Sequence, residues 1–142
     1  MTLKTPLQIP ELLAPAGNYD CMQAAIENGA DAVYFGLATG FNARARAANF
    51  DLQELQRCMT LLHQANVKGY VTLNTLVFPE EIAHLESIVR TINDAGVDAV
   101  LIQDLGLLHM VHTICPDLPI HASTQMTMTS AETISPLLNM GV

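Results

Sequence analysis

The pentapeptide Gly29-Ala-Asp-Ala-Val33 returns further along the chain as Gly96-Val-Asp-Ala-Val100. In both copies a helix-like stretch ends at the glycine and an apolar run starts within a few residues. That is the punctuation of a helix closed by a left-handed residue and followed at once by a buried strand. Asn66 with Val67 occupies the same kind of place, and Gly141-Val142 looks like another such junction cut short. A chain that repeats helix-to-strand junctions alternates the two elements, and alternation means a parallel sheet with helical crossovers.

Five short apolar runs read as strands: Glu11–Pro15, Ala32–Phe35, Tyr70–Leu73, Ala99–Gln103 and Pro119–Ala122. Each is too apolar for a half-exposed edge, so all five are expected to be central strands. Between them, Leu52, Leu55, Met59 and Leu62 form one stripe at helical spacing, and Ile82, Leu85, Val89 and Ile92 form another. Helix starts are marked by Asn18, by Asp51 with Glu54, by Pro79 and by Thr129 with Glu132. Right-handed crossovers leave two economical architectures, a doubly wound open sheet or a stretch of an eight-fold barrel. The chain stops where a sixth strand is due, which favours α/β architecture of parallel (β/α) units forming the first part of a TIM-like barrel, truncated before the sixth strand.

The 142 residues fit one domain or part of a larger one. Half of them are hydrophobic, yet no run reaches the roughly 18 apolar residues that span a bilayer. The formal charge is −8, and of six basic residues only Arg44 and Arg46 sit close together, with Lys4, Arg57, Lys68 and Arg90 scattered. DNA is therefore not an expected partner of this chain alone, nor is a membrane. The opening MTLKTPLQIPELL lacks an export signal, which leads to an expectation of a cytoplasmic protein. Cys21, Cys58 and Cys115 are far apart, lack CxxC spacing and read as reduced, small core residues.

In either architecture ligands bind beyond the carboxyl ends of the strands. There lie Ala14-Pro-Ala-Gly17, Tyr34 with Gly36, Asn74-Thr75, Gln103-Asp104 and His121-Ala-Ser-Thr-Gln125. Strand periodicity points His121, Ser123 and Gln125 to one side, as a ligand-facing row or as paired groups closing a loop. A hydrolytic triad of His121, Ser123 and Asp104 is disfavoured: no nucleophile elbow or second oxyanion donor accompanies it. Asp104 is either a helix cap or an acid, base or acceptor. The long segment Gly36–Phe50 carries Arg44 and Arg46, whose guanidinium forks suit a carboxylate or phosphate. Asn74 is a ligand contact or a turn former. His63, His84, His109 and His112 read as solvated helix residues, so no metal site is expected.

In order and spacing, Glu11-Leu-Leu-Ala-Pro-Ala-Gly17, Gly29–Gly36, Val71-Thr-Leu-Asn-Thr75, Gly96–Asp104 and His121–Gln125 resemble the amino-terminal portion of the collagenase-like peptidase family U32. The resemblance runs from about Pro10 to Val142. It implies a barrel-like catalytic domain, of which residues 1–142 are a single partial domain. Several members of the family are hydroxylation enzymes that modify a pyrimidine in ribosomal or transfer RNA, apparently with prephenate as the hydroxyl source; others act in oxygen-independent ubiquinone synthesis. An iron–sulfur cluster held by cysteines is expected in full-length relatives, but none of the cysteines here matches those positions, so no cofactor is expected within this chain. The resemblance thus implies an enzyme whose partners are a small anionic donor and RNA. Arg44, Arg46, Asn74, Gln103 and Gln125 bind substrate on that reading, His121, Ser123 and Asp104 are catalytic candidates, and the fragment alone is inactive. Alternatives are a peptidase acting on collagen-like or other protein, and a non-catalytic half-barrel that assembles with a partner chain or with itself through exposed strand edges.

Overall fold

The computed structural model describes residues 9–44, 46 and 48–142. Lys4 and the greater part of the opening MTLKTPLQIPELL segment lie outside the described residues. Five parallel strands, β1 (Leu13–Ala16), β2 (Ala32–Gly36), β3 (Lys68–Leu73), β4 (Ala99–Ile102) and β5 (Ile120–Ala122), lie side by side in sequence order. Each is followed by a helix: α1 (Tyr19–Glu27), α2 (Leu55–Gln64), α3 (Ile82–Asp94), α4 (Leu105–Ile114) and α5 (Ala131–Leu138). A strictly sequential parallel order never reverses, as a doubly wound sheet must, so the winding is that of a TIM-like barrel.

Strand alternation sorts the side chains into two layers. Val33, Phe35, Val71, Leu73, Val100, Ile102 and Ile120 pack with Met22, Leu55, Met59, Leu62, Leu85, Ile88, Val89, Ile92, Leu107, Leu108 and Val111 of the helices in one buried cluster. On the other face Ala32, Tyr70 and Ala99 form a small separate cluster with Tyr34 and Leu101, to which no helix contributes. The helices therefore cover one face, and the second is the concave, inner one.

The repeated pentapeptide explains much of this. Gly29 (φ 82°), Gly96 (φ 74°) and Asn66 (φ 58°) are all left-handed and end their helices. The aspartate two residues beyond each glycine reaches the neighbouring strand: Asp31 accepts the Leu12 N–H at 2.7 Å and Asp98 accepts the Gly69 N–H at 2.7 Å. The alanine that follows is the small inner-face residue against which the Tyr70 ring packs.

Several expectations are corrected. β1 starts at Leu13, not Glu11, because the Leu12 N–H is taken by Asp31 and its carbonyl by the Asp31 and Ala32 amides. Gln103 lies past the end of β4, and Pro119, which has no N–H, precedes β5. β1 and β5 are the outer strands of the described sheet rather than central ones, and Leu13 is 41% exposed. Ile82 lies outside its buried stripe, at 45% exposure, and Ile88 takes its place. The last helix is capped by Ser130 with Thr133, one frame later than Thr129 with Glu132. Cys21 is exposed, whereas Cys58 and Cys115 are buried. His63 is not simply solvated: its Nε2 lies 2.9 Å from Asp98 Oδ2.

Candidate functional site

Parallel strands put all five carboxyl ends at one end of the sheet, and what happens there depends on the segment after β2. Phe50 donates its N–H to the Gly36 carbonyl and accepts from Ala38, so the chain leaves the strand and returns to it. The turn between is held from inside by Asn42, 2% exposed, which donates to the Leu37 carbonyl at 2.8 Å and accepts the Arg44 N–H at 3.0 Å. Gly36 is required beneath it: a Cβ there would lie 2.8 Å from Asn42 Cγ and collide with the Asn49 amide. Packed down this way, the segment lends its Ala43 N–H to Asn74 Oδ1 at 2.9 Å.

Asn74, just past β3, is the junction of the site. Its Nδ2 donates to Ser123 Oγ at 3.1 Å and to Gln125 Oε1 at 3.2 Å. Ser123, 5% exposed, donates to the same Gln125 oxygen, and Thr124 Oγ1 reaches it at 3.2 Å. Three of the polar groups expected from sequence thus form one bonded cluster built from β3 and the end of β5. Gln103 shares with Gln125 an open groove of 630 Å³, floored by Leu76, Leu105, Met126 and Met128. Arg44 lines a narrow cleft with Ala16, Gly17, Tyr34, Gly36 and Asn49. Arg44 and Arg46 are both exposed, and neither takes part in an ion pair among the described residues.

The expected row His121, Ser123, Gln125 divides. His121 is exposed on the inner face, its ring edge-on to Tyr70 with centroids 4.9 Å apart. Asp104 caps α4, its Oδ1 accepting the Leu107 N–H at 2.9 Å. No hydrogen bond joins His121, Ser123 and Asp104 among the described residues, so the geometry is not that of a hydrolytic triad.

A second polar group at the opposite end of the sheet was not anticipated. Glu11 accepts from Tyr70 Oη and from Lys68 Nζ, each at 2.7 Å. The Lys68 bond first, and the Tyr70 bond after it, hold the Glu11 carboxyl below the usual carboxylate range. Burial, and then the bond to Glu11, push the Tyr70 hydroxyl up to about 12. The signal available in the sequence was parity: Lys68 and Tyr70 are two apart on a strand and share a face, with an acid just ahead of the first strand.

Among the described residues no group of three or more His, Cys, Asp or Glu side chains could hold a metal ion. Cys21 and Cys58 lie on α1 and α2 and Cys115 follows α4, so this chain's own residues do not fit an iron–sulfur cluster.

The model described as Peptidase family U32 matches residues 17–142. A collagenase of Porphyromonas gingivalis is 35% identical over 125 residues, 87% of this chain and 30% of that protein. The 23S rRNA 5-hydroxycytidine C2501 synthase of Escherichia coli is 35% identical over 131 residues, 92% of this chain and 19% of that protein. This chain therefore spans less than a third of the length of these curated relatives. A solved structure of a U32 peptidase superposes with a TM-score of 0.74 at 13% identity, over 100% of this chain and 60% of that one, which establishes the shared fold.

Proposed function

This chain belongs to peptidase family U32, and from that membership we propose that it furnishes the first (β/α) units of a cytoplasmic RNA-hydroxylating enzyme, one that acts on a pyrimidine of ribosomal or transfer RNA with prephenate as hydroxyl donor. The observation that carries the reading is the convergence, at one end of the sheet, of the Arg44 segment, Asn74 and Gln125, tied together through Ala43. In a chain of net charge −8, Arg44 and Arg46 concentrate cationic charge on the segment that docks there. Exposed arginine forks that form no ion pair among the described residues suit the carboxylates of a small anionic donor. Asn74, Gln103 and Gln125 supply neutral hydrogen-bonding groups for a base or ring.

The name of the E. coli relative supports RNA as the substrate class. The cysteines of this chain form no cradle for an iron–sulfur group. The uncovered inner face and the outer strands β1 and β5 form the surface through which the rest of a catalytic domain, or a second copy, completes the assembly.

The test is to incubate the full-length protein with RNA and prephenate and to measure hydroxylated pyrimidine nucleosides by mass spectrometry. Product is expected with the wild type, and at least about a tenfold loss with Arg44→Ala if its charge-assisted contact is worth about 1.4 kcal/mol or more. Absence of product together with gelatin cleavage by metal-free protein would replace this reading with a peptidase.

A further inference from the structure

The hydrogen-bond network at the carboxyl ends has a direction that can be worked out from one unambiguous donor. A backbone N–H can only donate, so the Ala43 amide fixes the atom of Asn74 that faces it as the oxygen, at 2.9 Å. The Asn74 amide nitrogen must then face Ser123 and Gln125, where it donates at 3.1 and 3.2 Å. An NH2 group can only donate, so Gln125 turns its oxygen inward, where the Ser123 and Thr124 hydroxyls also meet it. That leaves the Gln125 Nε2 group outward, with no protein acceptor among the described residues, at the edge of the 630 Å³ groove. The adjoining floor is apolar, formed by Leu76, Leu105, Met126 and Met128.

We propose that Gln125 is a specificity-determining donor: its amide NH2, oriented through Asn74 by the Ala43 N–H, selects ligands that present a carbonyl oxygen beside a flat apolar ring. A ring carrying a donor at that position faces another donor and is rejected, and the loss is greatest where the unpaired group is shielded from water. The same relay makes the selectivity depend on the docked segment after β2, since undocking Ala43 frees Asn74 to turn and Gln125 to follow. The inference rests on the carboxyl end being the ligand site, but not on the ligand being RNA.

Two small aromatic probes separate the outcomes. 1-Methyl-2-pyridone offers only an acceptor, and protonated 2-aminopyridine offers only donors. Binding is followed by side-chain amide resonances of the whole chain, in salt high enough to screen the net charge. Wild type is expected to bind the pyridone roughly tenfold more tightly, with the Gln125 NH2 resonances shifting. Gln125→Glu presents an acceptor and is expected to reverse the order. Asn74→Asp still accepts from Ala43 but cannot donate to Gln125, so Gln125 turns its NH2 inward and the order again reverses with Gln125 itself unchanged. Equal binding of both probes, no saturable shift with either, or an Asn74→Asp protein that keeps the wild-type preference overturns the proposal. RNA hydroxylation that persists without probe selectivity overturns this inference alone; selectivity without hydroxylation overturns only the functional reading.

Discussion

At the amino ends of the strands, carboxylates make the cross-strand bonds: Asp31 to Leu12, Asp98 to Gly69 and His63, and Glu11 to Lys68 and Tyr70. At the carboxyl ends the cross-strand bonds run between amides and hydroxyls, and among the described residues they leave over the Gln125 NH2 group and the Arg44 guanidinium. Charges paired within the protein hold neighbouring strands in register. Donors without an internal partner add little to stability and remain free to bind. This is the division expected of a (β/α) barrel, whose ligand sites lie at the carboxyl ends while the amino ends stabilise the fold.

Substitutions can break that comparison in either direction. The largest effect is expected from Asp98→Ala, which strands the buried Gly69 N–H and removes the partner of His63; a loss of about 2 kcal/mol in unfolding free energy is expected by chemical denaturation. Asp31→Ala is expected to cost less, about 1 kcal/mol, because Leu12 is exposed and water can replace the lost acceptor.

A pH series sharpens the contrast. The carboxyl of Glu11 is held low by Lys68, so its stabilising contribution is present above the ordinary carboxylate pKa and is lost as pH falls through its own lower value. Tyr70 is raised to about 12, so its contribution is complete below the ordinary tyrosine value of about 10 and is lost as pH rises towards 12. Both limbs share the Glu11 carboxylate. Glu11→Gln is therefore expected to flatten the thermal midpoint against pH on the acid side and, because burial is the larger cause of the Tyr70 shift, only in part on the alkaline side. A flattening on one side only separates Lys68 from Tyr70. The smallest effect on stability is expected from Arg44→Ala, within about 0.5 kcal/mol, since the side chain is exposed and forms no ion pair among the described residues.

The sequence displays the alternation of elements because helix-closing residues and strand residues follow distinct local rules, and those rules acted at Gly29, Asn66 and Gly96. It displays the polar residues past each strand for the same reason. It does not display which of them meet. Asn74, Ser123 and Gln125 come together through strand neighbours far apart in sequence, and only the folded Gly36–Phe50 segment supplies the Ala43 amide that gives their network a direction. His121 parts from Ser123 because the inner face offers it the Tyr70 ring instead. The Glu11, Lys68 and Tyr70 group escapes notice because it spans three strands and its acid lies before the first of them.

The division between the ends is tested most directly by amide correlation spectra of the whole chain during titration with prephenate. Saturable shifts centred on Gly36, Arg44, Asn74 and Gln125, with Leu12, Lys68, Gly69 and Asp98 unmoved, are the expected result. Shifts centred on the amino-end residues, with the carboxyl end silent, contradict the account.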